Sequence, residues 1–201
     1  MTEFTKPLTL IIATSNPGKL KEMQAHLTDL PIDLQLKPAS LEIEETGTTF
    51  SENAGLKASQ VAQALGEWAI ADDSGLAVDQ LGGMPGVYSA RYADSDQARI
   101  EKLLQELGDS QDRQAQFVCA IALANPQGEI VLAVEGICPG EISFAPKGDN
   151  GFGYDPIFFV PEVNLTFAEM SPEIKRSLSH RGKAFQLFLP KLKELLDSLH
   201  E

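Results

Sequence analysis

The sequence predicts an α/β protein built on a mixed sheet with flanking helices. Three observations carry that class. Short β-branched apolar runs alternate with helix-period stretches through the first half of the chain. In the middle, Asn125-Pro126-Gln127-Gly128 separates two apolar runs, with proline second and glycine fourth as a type I turn requires. No internal repeat, low-complexity linker or sharp composition change divides the chain, so residues 1–201 read as a single domain.

Leu8 to Thr14 is short, β-branched in its middle and ended by a turn, which predicts a buried strand. Asn16 then suits a helix N-cap and Pro17 the first helical position. Leu20, Met23, Leu27 and Leu30 follow at helical spacing. Thr49 with Glu52 predicts a capping box opening a second helix, in which Leu56, Val61 and Leu65 supply the larger apolar side chains. Trp68 to Ala71 reads as a short buried strand that delivers Asp72 and Asp73 to its C-terminal end, with Ser74-Gly75 as a tight turn aiming them inward. Gly82 to Gly86 is a loop by composition.

Ser95 caps a third helix carrying Ile100, Leu103, Leu104 and Leu107, with Gly108 past its end. Phe117 to Ala124 and Glu129 to Ile137 form the β-hairpin. Ser171-Pro172 opens a further helix, Ser179 caps the last, and Pro190 is expected to kink or split it.

The chain carries 43% hydrophobic and 22% charged residues, an ordinary globular balance with enough length for a sizeable core. Its early apolar run is too short to span a membrane and lacks the pattern of a signal peptide, so the expected location is cytoplasmic. The formal net charge of -13 argues against nucleic acid as a partner, which needs a basic face. The same charge means that a phosphorylated ligand must meet local cations, either a metal or clustered Lys and Arg. Cys119 and Cys138 sit in apolar stretches and read as buried, reduced thiols.

Four groups of residues and one further lysine carry candidate chemistry. Thr14-Ser15-Asn16-Pro17-Gly18-Lys19 puts hydroxyls, an amide, backbone N–H groups and an ammonium at a helix N-terminus, a setting for phosphate oxygens. It is not a Walker P-loop, because the leading glycine is absent and Leu20 stands where a metal-binding hydroxyl belongs. Glu44, Glu45, Asp72 and Asp73 form two acidic pairs, and carboxylates from two segments with substrate phosphate suit Mg²⁺. Lys57 shares a helix face with Asn53 and reads as a surface lysine or a phosphate contact. Phe152-Gly153-Tyr154-Asp155-Pro156 follows Gly148 and Gly151, so backbone can approach a planar ligand with Phe152 or Tyr154 as a stacking face. Lys175, His180 and Arg181 lie around a helix junction, and the donor fork of Arg181 reads planar acceptors. Each group alone also fits ordinary structure: a capped helix start, solvated loop charge, a glycine-rich hairpin, a hydrogen-bonded histidine.

Taken together, these residues resemble the inosine triphosphate pyrophosphatase family. The resemblance runs from about Ile11 to Leu187 and rests on T-S-N-P-G-K, E-E-T-G-x-T-F-x-E-N-A, A-D-D-S-G-L, G-G-x-P-G-V-Y-S-A-R-Y, G-F-G-Y-D-P-I-F and S-H-R-G, in family order. It implies hydrolysis of non-standard purine nucleoside triphosphates such as ITP, dITP and XTP. It implies a substrate loop at Thr14 to Lys19 and metal ligation by Glu44 and Asp73, with Asp73 also accepting a proton from the attacking water. Ser74, Phe152, Gly153, Tyr154, Asp155, Lys175, His180 and Arg181 would line the nucleotide pocket, and Lys57 would reach the triphosphate. The family further implies Mg²⁺ as cofactor, an elongated fold of two lobes around a central cleft, and a homodimer.

Two other readings share some of these features. A pyrophosphatase for modified pyrimidine or methylated nucleotides would not need the Ser-His-Arg segment in this register. A noncatalytic nucleotide sensor would not need a water-activating carboxylate.

Overall fold

The computed structural model describes residues 7–199. Five strands and three helices occupy the first two thirds of the chain: β1 (Leu8–Ile12), α1 (Pro17–Leu27), β2 (Ile32–Leu36), α2 (Phe50–Leu65), β3 (Trp68–Val78), α3 (Asp96–Leu107), β4 (Gln114–Ala124) and β5 (Ile130–Ile142). The remainder forms β6 (Phe158–Val160), β7 (Leu165–Thr166), α4 (Pro172–Leu178) and α5 (His180–Leu199). The strands make one seven-stranded sheet in the order β2-β1-β3-β4-β5-β6-β7. β1 runs parallel to β2 and to β3, whereas β6 is antiparallel to β5 and to β7, so the sheet is mixed.

The caps read from the sequence are formed. Asn16 accepts the amides of Gly18 and Lys19, Thr49 and Glu52 complete a capping box, Ser95 accepts from Ala98, and Ser171 accepts from Ile174. The β4–β5 turn closes through the Gly128 amide to the Asn125 carbonyl at 2.8 Å. Gly128 has φ +81°, in the left-handed region, and an added Cβ would lie 2.4 Å from the Gln63 side chain, so position 128 is glycine on both counts.

Two expectations need correction, and two features add to the reading. β3 does not end at Ala71; Asp72, Asp73 and Ser74 lie inside an eleven-residue strand and Ser74-Gly75 is not a turn. The strand continues because Leu76 and Val78, farther along, enter a second apolar cluster. The buried stripe of α2 is Ala54, Ala58, Val61 and Ala62, while Leu56 and Leu65 are only half-buried. Small side chains let this helix approach the alanines of β3 and β4 closely. β2 is an edge strand with no fully buried residue, and Ile32-Asp33-Leu34-Gln35-Leu36 alternates with the period of a half-buried strand. Finally, Pro190 does not split α5, which continues through it to Leu199 with the proline on the exposed side.

The chain divides into two compact units, neither of them continuous. One comprises Met1–Asp73, Ala120–Glu135 and Ala184–Glu201, and the other Ser74–Cys119 and Gly136–Lys183. The first has an alanine-rich core around Ile11, Val61 and Ala120. The second is built on larger side chains, including Leu76, Leu103, Phe117, Phe158 and Phe167. In it Phe117 stacks on Phe167 and meets Phe158 edge-on.

Candidate active site

In the first unit, β1 pairs with β3 only as far as Ile12 opposite Ile70, so the following residues of β3 pass beyond the end of β1. Asp72 and Asp73 come next. Successive side chains of a strand point to opposite faces, and the two carboxylates duly find different lysines. Asp72 pairs with Lys19 at 3.6 Å, and Asp73 pairs with Lys57 at 3.0 Å. Lys57 also holds Glu45 at 2.6 Å, so one ammonium bridges two carboxylates. Burial pulls the Lys57 pKa down, but the charges of Asp73, Asp72 and Glu45 outweigh it and hold the group above an ordinary lysine. For Asp73 burial wins over Lys57 and Lys19, and its pKa is raised.

Asn53 was legible in the sequence only as a neighbour of Lys57 on α2. It is wholly buried, donates Nδ2 to Asp73 at 3.3 Å and accepts the Gly47 amide on Oδ1 at 2.8 Å. A Cβ on Gly47 would stand 2.7 Å from that Oδ1, so the glycine permits the approach. Glu44 is exposed and takes no part in these contacts; Glu45 is the neighbour that reaches the lysine. The spacing of Asn53 and Lys57, one helical turn apart before a buried acidic strand, is the signal that links α2 to Asp73.

The segment Thr14 to Lys19 turns at the N-terminus of α1. Thr14 accepts the Asn16 amide, and Asn16 takes the Gly18 and Lys19 amides at 2.9 and 3.1 Å. Those two amides are therefore already satisfied; the Ser15 hydroxyl is exposed, and the Lys19 ammonium pairs with Asp72. Pro17 is exposed at the first helical position.

In the second unit, residues 151–155 form an irregular loop with φ +80° at Gly151 and +62° at Gly153. Asp155 is buried; its Oδ2 accepts the Phe152 amide at 2.8 Å and pairs with Lys175 at 2.6 Å. A Cβ on Gly151 would come within 1.9 Å of that same oxygen. Lys175 stands 5.0 Å from the Phe152 ring centre. The two rings of the loop differ sharply: Phe152 is half-buried, while Tyr154 belongs to the core and donates its hydroxyl to the Ser89 carbonyl at 2.9 Å. Phe152 is accordingly the face available for stacking.

α4 and α5 meet at Ser179. Its hydroxyl accepts the Gly182 amide at 3.1 Å, the cap expected for α5. His180 stacks on Phe117 at 4.6 Å, and the buried Arg181 donates to the Ser74 hydroxyl at 2.9 Å. Ser74, Arg181, Lys175, Asp155 and Phe152 thus lie in one unit with charge and ring groups suited to a base. Asp72, Asp73, Lys19 and Lys57 lie in the other with charges suited to phosphate.

Among the described residues no group of three or more His, Cys, Asp or Glu side chains is arranged to hold a metal ion unaided. Nor is any described helix long and apolar enough to cross a membrane.

A model of the Ham1 family matches residues 10–191. The chain is 64% identical over 192 residues to the dITP/XTP pyrophosphatase of Nostoc sp. strain PCC 7120, covering 96% of this chain and 98% of that one. It is 62% identical to the dITP/XTP pyrophosphatase of a Synechocystis strain, over 88% of this chain and 91% of that one. Among solved structures, a HAM1 protein from Coxiella burnetii superposes with a TM-score of 0.86 at 44% identity, covering 93% of this chain and 99% of that one. The Staphylococcus aureus Ham1 protein gives a TM-score of 0.83 at 44% identity, over 92% and 98% of the two chains.

Proposed function

The chain belongs to the Ham1 family, and from that premise we propose that it hydrolyses non-standard purine nucleoside triphosphates, ITP, dITP and XTP, to the monophosphate and pyrophosphate. This cleanses the nucleotide pool. The observation that carries the reading is the buried Asp73, held by Lys57 and Asn53 within reach of a second lysine's charge.

The donor set fits Mg²⁺. Asp72, Asp73 and Glu45 carry three negative charges against two on Lys19 and Lys57, an excess of one with oxygen donors only. Asp73 of this set and Glu44, exposed beside Glu45 and outside these contacts, are the ligands we assign from the family resemblance, with substrate phosphates completing the shell. When bound, Mg²⁺ supplies charge neutralisation at the phosphate oxygens. Lys19 and Lys57 do the same from the protein side, and Lys57 has carboxylate partners to exchange for phosphate. Asp73 takes a proton from the attacking water. Burial raises its pKa, which makes it a stronger base than an ordinary aspartate.

The base is assigned to Phe152, which stacks, and to Arg181, whose donors match a 6-oxo group and oppose a 6-amino group. Thr14, Ser15, Asn16, Pro17 and Gly18 are assigned to the substrate with Lys19, and Ser74, Gly153, Tyr154, Asp155, Lys175 and His180 to the nucleotide pocket. We infer one domain of two lobes acting as a cytoplasmic homodimer without nucleic-acid partners; the net charge of -13 supports the last point.

Pyrophosphate release from ITP, measured with MgCl₂ and with excess chelator, tests the reading. One pyrophosphate per IMP, lost with chelator, is expected. Orthophosphate as the product would overturn cleavage between the α- and β-phosphates, and binding without turnover would identify a sensor.

A further inference from the structure

We propose that Asp96, the first residue of α3, is a positioning residue for the base-binding loop 151–155: its carboxylate holds the Gly153 amide and thereby sets the plane of Phe152. The inference rests on the pyrophosphatase reading given above. Gly153 N donates to Asp96 Oδ2 at 2.7 Å across 57 residues of sequence. With left-handed glycines at 151 and 153, the loop has no ladder of its own to fix it. Its other ties lie to the C-terminal side. Tyr154 is anchored through its hydroxyl to Ser89, and Asp155 through Lys175. The Phe152 amide leans on Asp155 as well, at 2.8 Å. The Gly153 amide is thus a point at which the loop is secured from α3.

The carboxylate is aimed for this contact. Its other oxygen, Oδ1, pairs with Arg99 one turn along α3, and Arg99 in turn donates Nε to the Ala93 carbonyl at 3.1 Å. The helix does not need Asp96 as a cap, because Ser95 already accepts the Ala98 amide. The Asp96 side chain is half exposed, so its removal leaves no buried cavity. A ring that stacks on the base contributes equally to substrate and transition state, and losing its alignment therefore raises KM with little change in kcat.

Asp96→Ala and Asp96→Asn are compared with the unaltered protein in ITP hydrolysis with Mg²⁺, alongside thermal melts and hydrogen exchange at Gly153. Asn keeps an acceptor oxygen and Ala does not. Loss of one hydrogen bond to a charged, partly exposed acceptor is expected to raise KM for ITP about tenfold in Asp96→Ala. In that variant kcat should stay within about twofold and Gly153 exchange should speed up, while Asp96→Asn recovers most of the KM. An unchanged KM in Asp96→Ala overturns the proposal. So does equal loss in both variants, or a fall in kcat alone. An unaltered protein that does not hydrolyse ITP would refute the pyrophosphatase reading itself; faster Gly153 exchange in Asp96→Ala would still report the tether.

Discussion

The side-chain amide of Asn53 stands 3.3 Å from Oδ2 of Asp73, and its carbonyl oxygen takes the Gly47 amide. A single buried residue therefore fixes both the proposed general base and the segment that carries Glu44 and Glu45. Replacing it with Leu strands the Gly47 amide and removes a donor from a buried carboxylate. Asn53→Leu is expected to cost about 1–3 kcal/mol of stability, read from urea unfolding. Turnover should fall at the same time, and a variant as active and stable as the parent would remove Asn53 from this role.

Asp73→Asn keeps the shape and the contact with Asn53 but cannot accept the proton. Turnover should fall by roughly 10²–10⁴-fold while nucleotide binding remains measurable by calorimetry. Activity within a few-fold of the parent would remove Asp73 from the mechanism.

Arg181 is buried against Ser74 and carries donors only. Hypoxanthine presents an acceptor at position 6 and adenine a donor. Arg181→Ala should lose most activity on ITP and narrow the gap between ITP and ATP, since an unpaired buried donor costs about 1–3 kcal/mol. The ratio of kcat/KM for the two nucleotides decides it: an unchanged ratio means that Arg181 does not read the base.

How much of this was legible beforehand depended on range. Caps and the Asn125–Gly128 turn are written in neighbouring residues, and they form as read. The run of β3 past Asp73 depends on Leu76 and Val78 finding Phe117 and Phe158, partners more than 35 residues away in sequence. Tyr154 and Phe152 look interchangeable in the sequence; only the Ser89 carbonyl, 65 positions distant, turns one of them inward. Glu44 and Glu45 differ by a single step of backbone, and which of them reaches Lys57 is decided by the path of an irregular segment that no periodicity describes.

Gly182 lies in α5 with the Arg176 carbonyl beside it; an added Cβ would be 1.9 Å from that oxygen. Alanine gains up to about 1 kcal/mol of helix propensity over glycine, but overpacking costs about 1–3 kcal/mol. Gly182→Ala should therefore lower the melting temperature, by about 2–4 °C for each net kcal/mol in a chain of this size. An unchanged melting curve would show that α4 yields freely.

Burial pushes the Cys138 thiol from 9.0 up to about 11. Below pH 9 the thiol is neutral whether the chain is folded or not, so it adds no pH dependence there. Above pH 9 the unfolded chain loses the proton first, and folding stability falls as pH rises from 9 towards 11. Thermal midpoints across pH 7–11 should be flat at first and then decline in that window. Alkylation of Cys138 at pH 8 should require unfolding, and rapid labelling of the folded protein would contradict the burial.

The division of the chain into discontinuous units bears on how the protein is made. The ribosome releases residues 1–73 first, yet they belong to a unit that also needs residues 184–199, where Phe185 stacks on His26 and Phe188 is buried. The second unit, whose last residue is Lys183, has all its parts before the first does. Emergence and completion therefore run in opposite order: the unit that contains β1 is the later of the two to have all its parts. Until α5 emerges, His26 of α1 lacks the Phe185 ring on which it stacks in the folded chain.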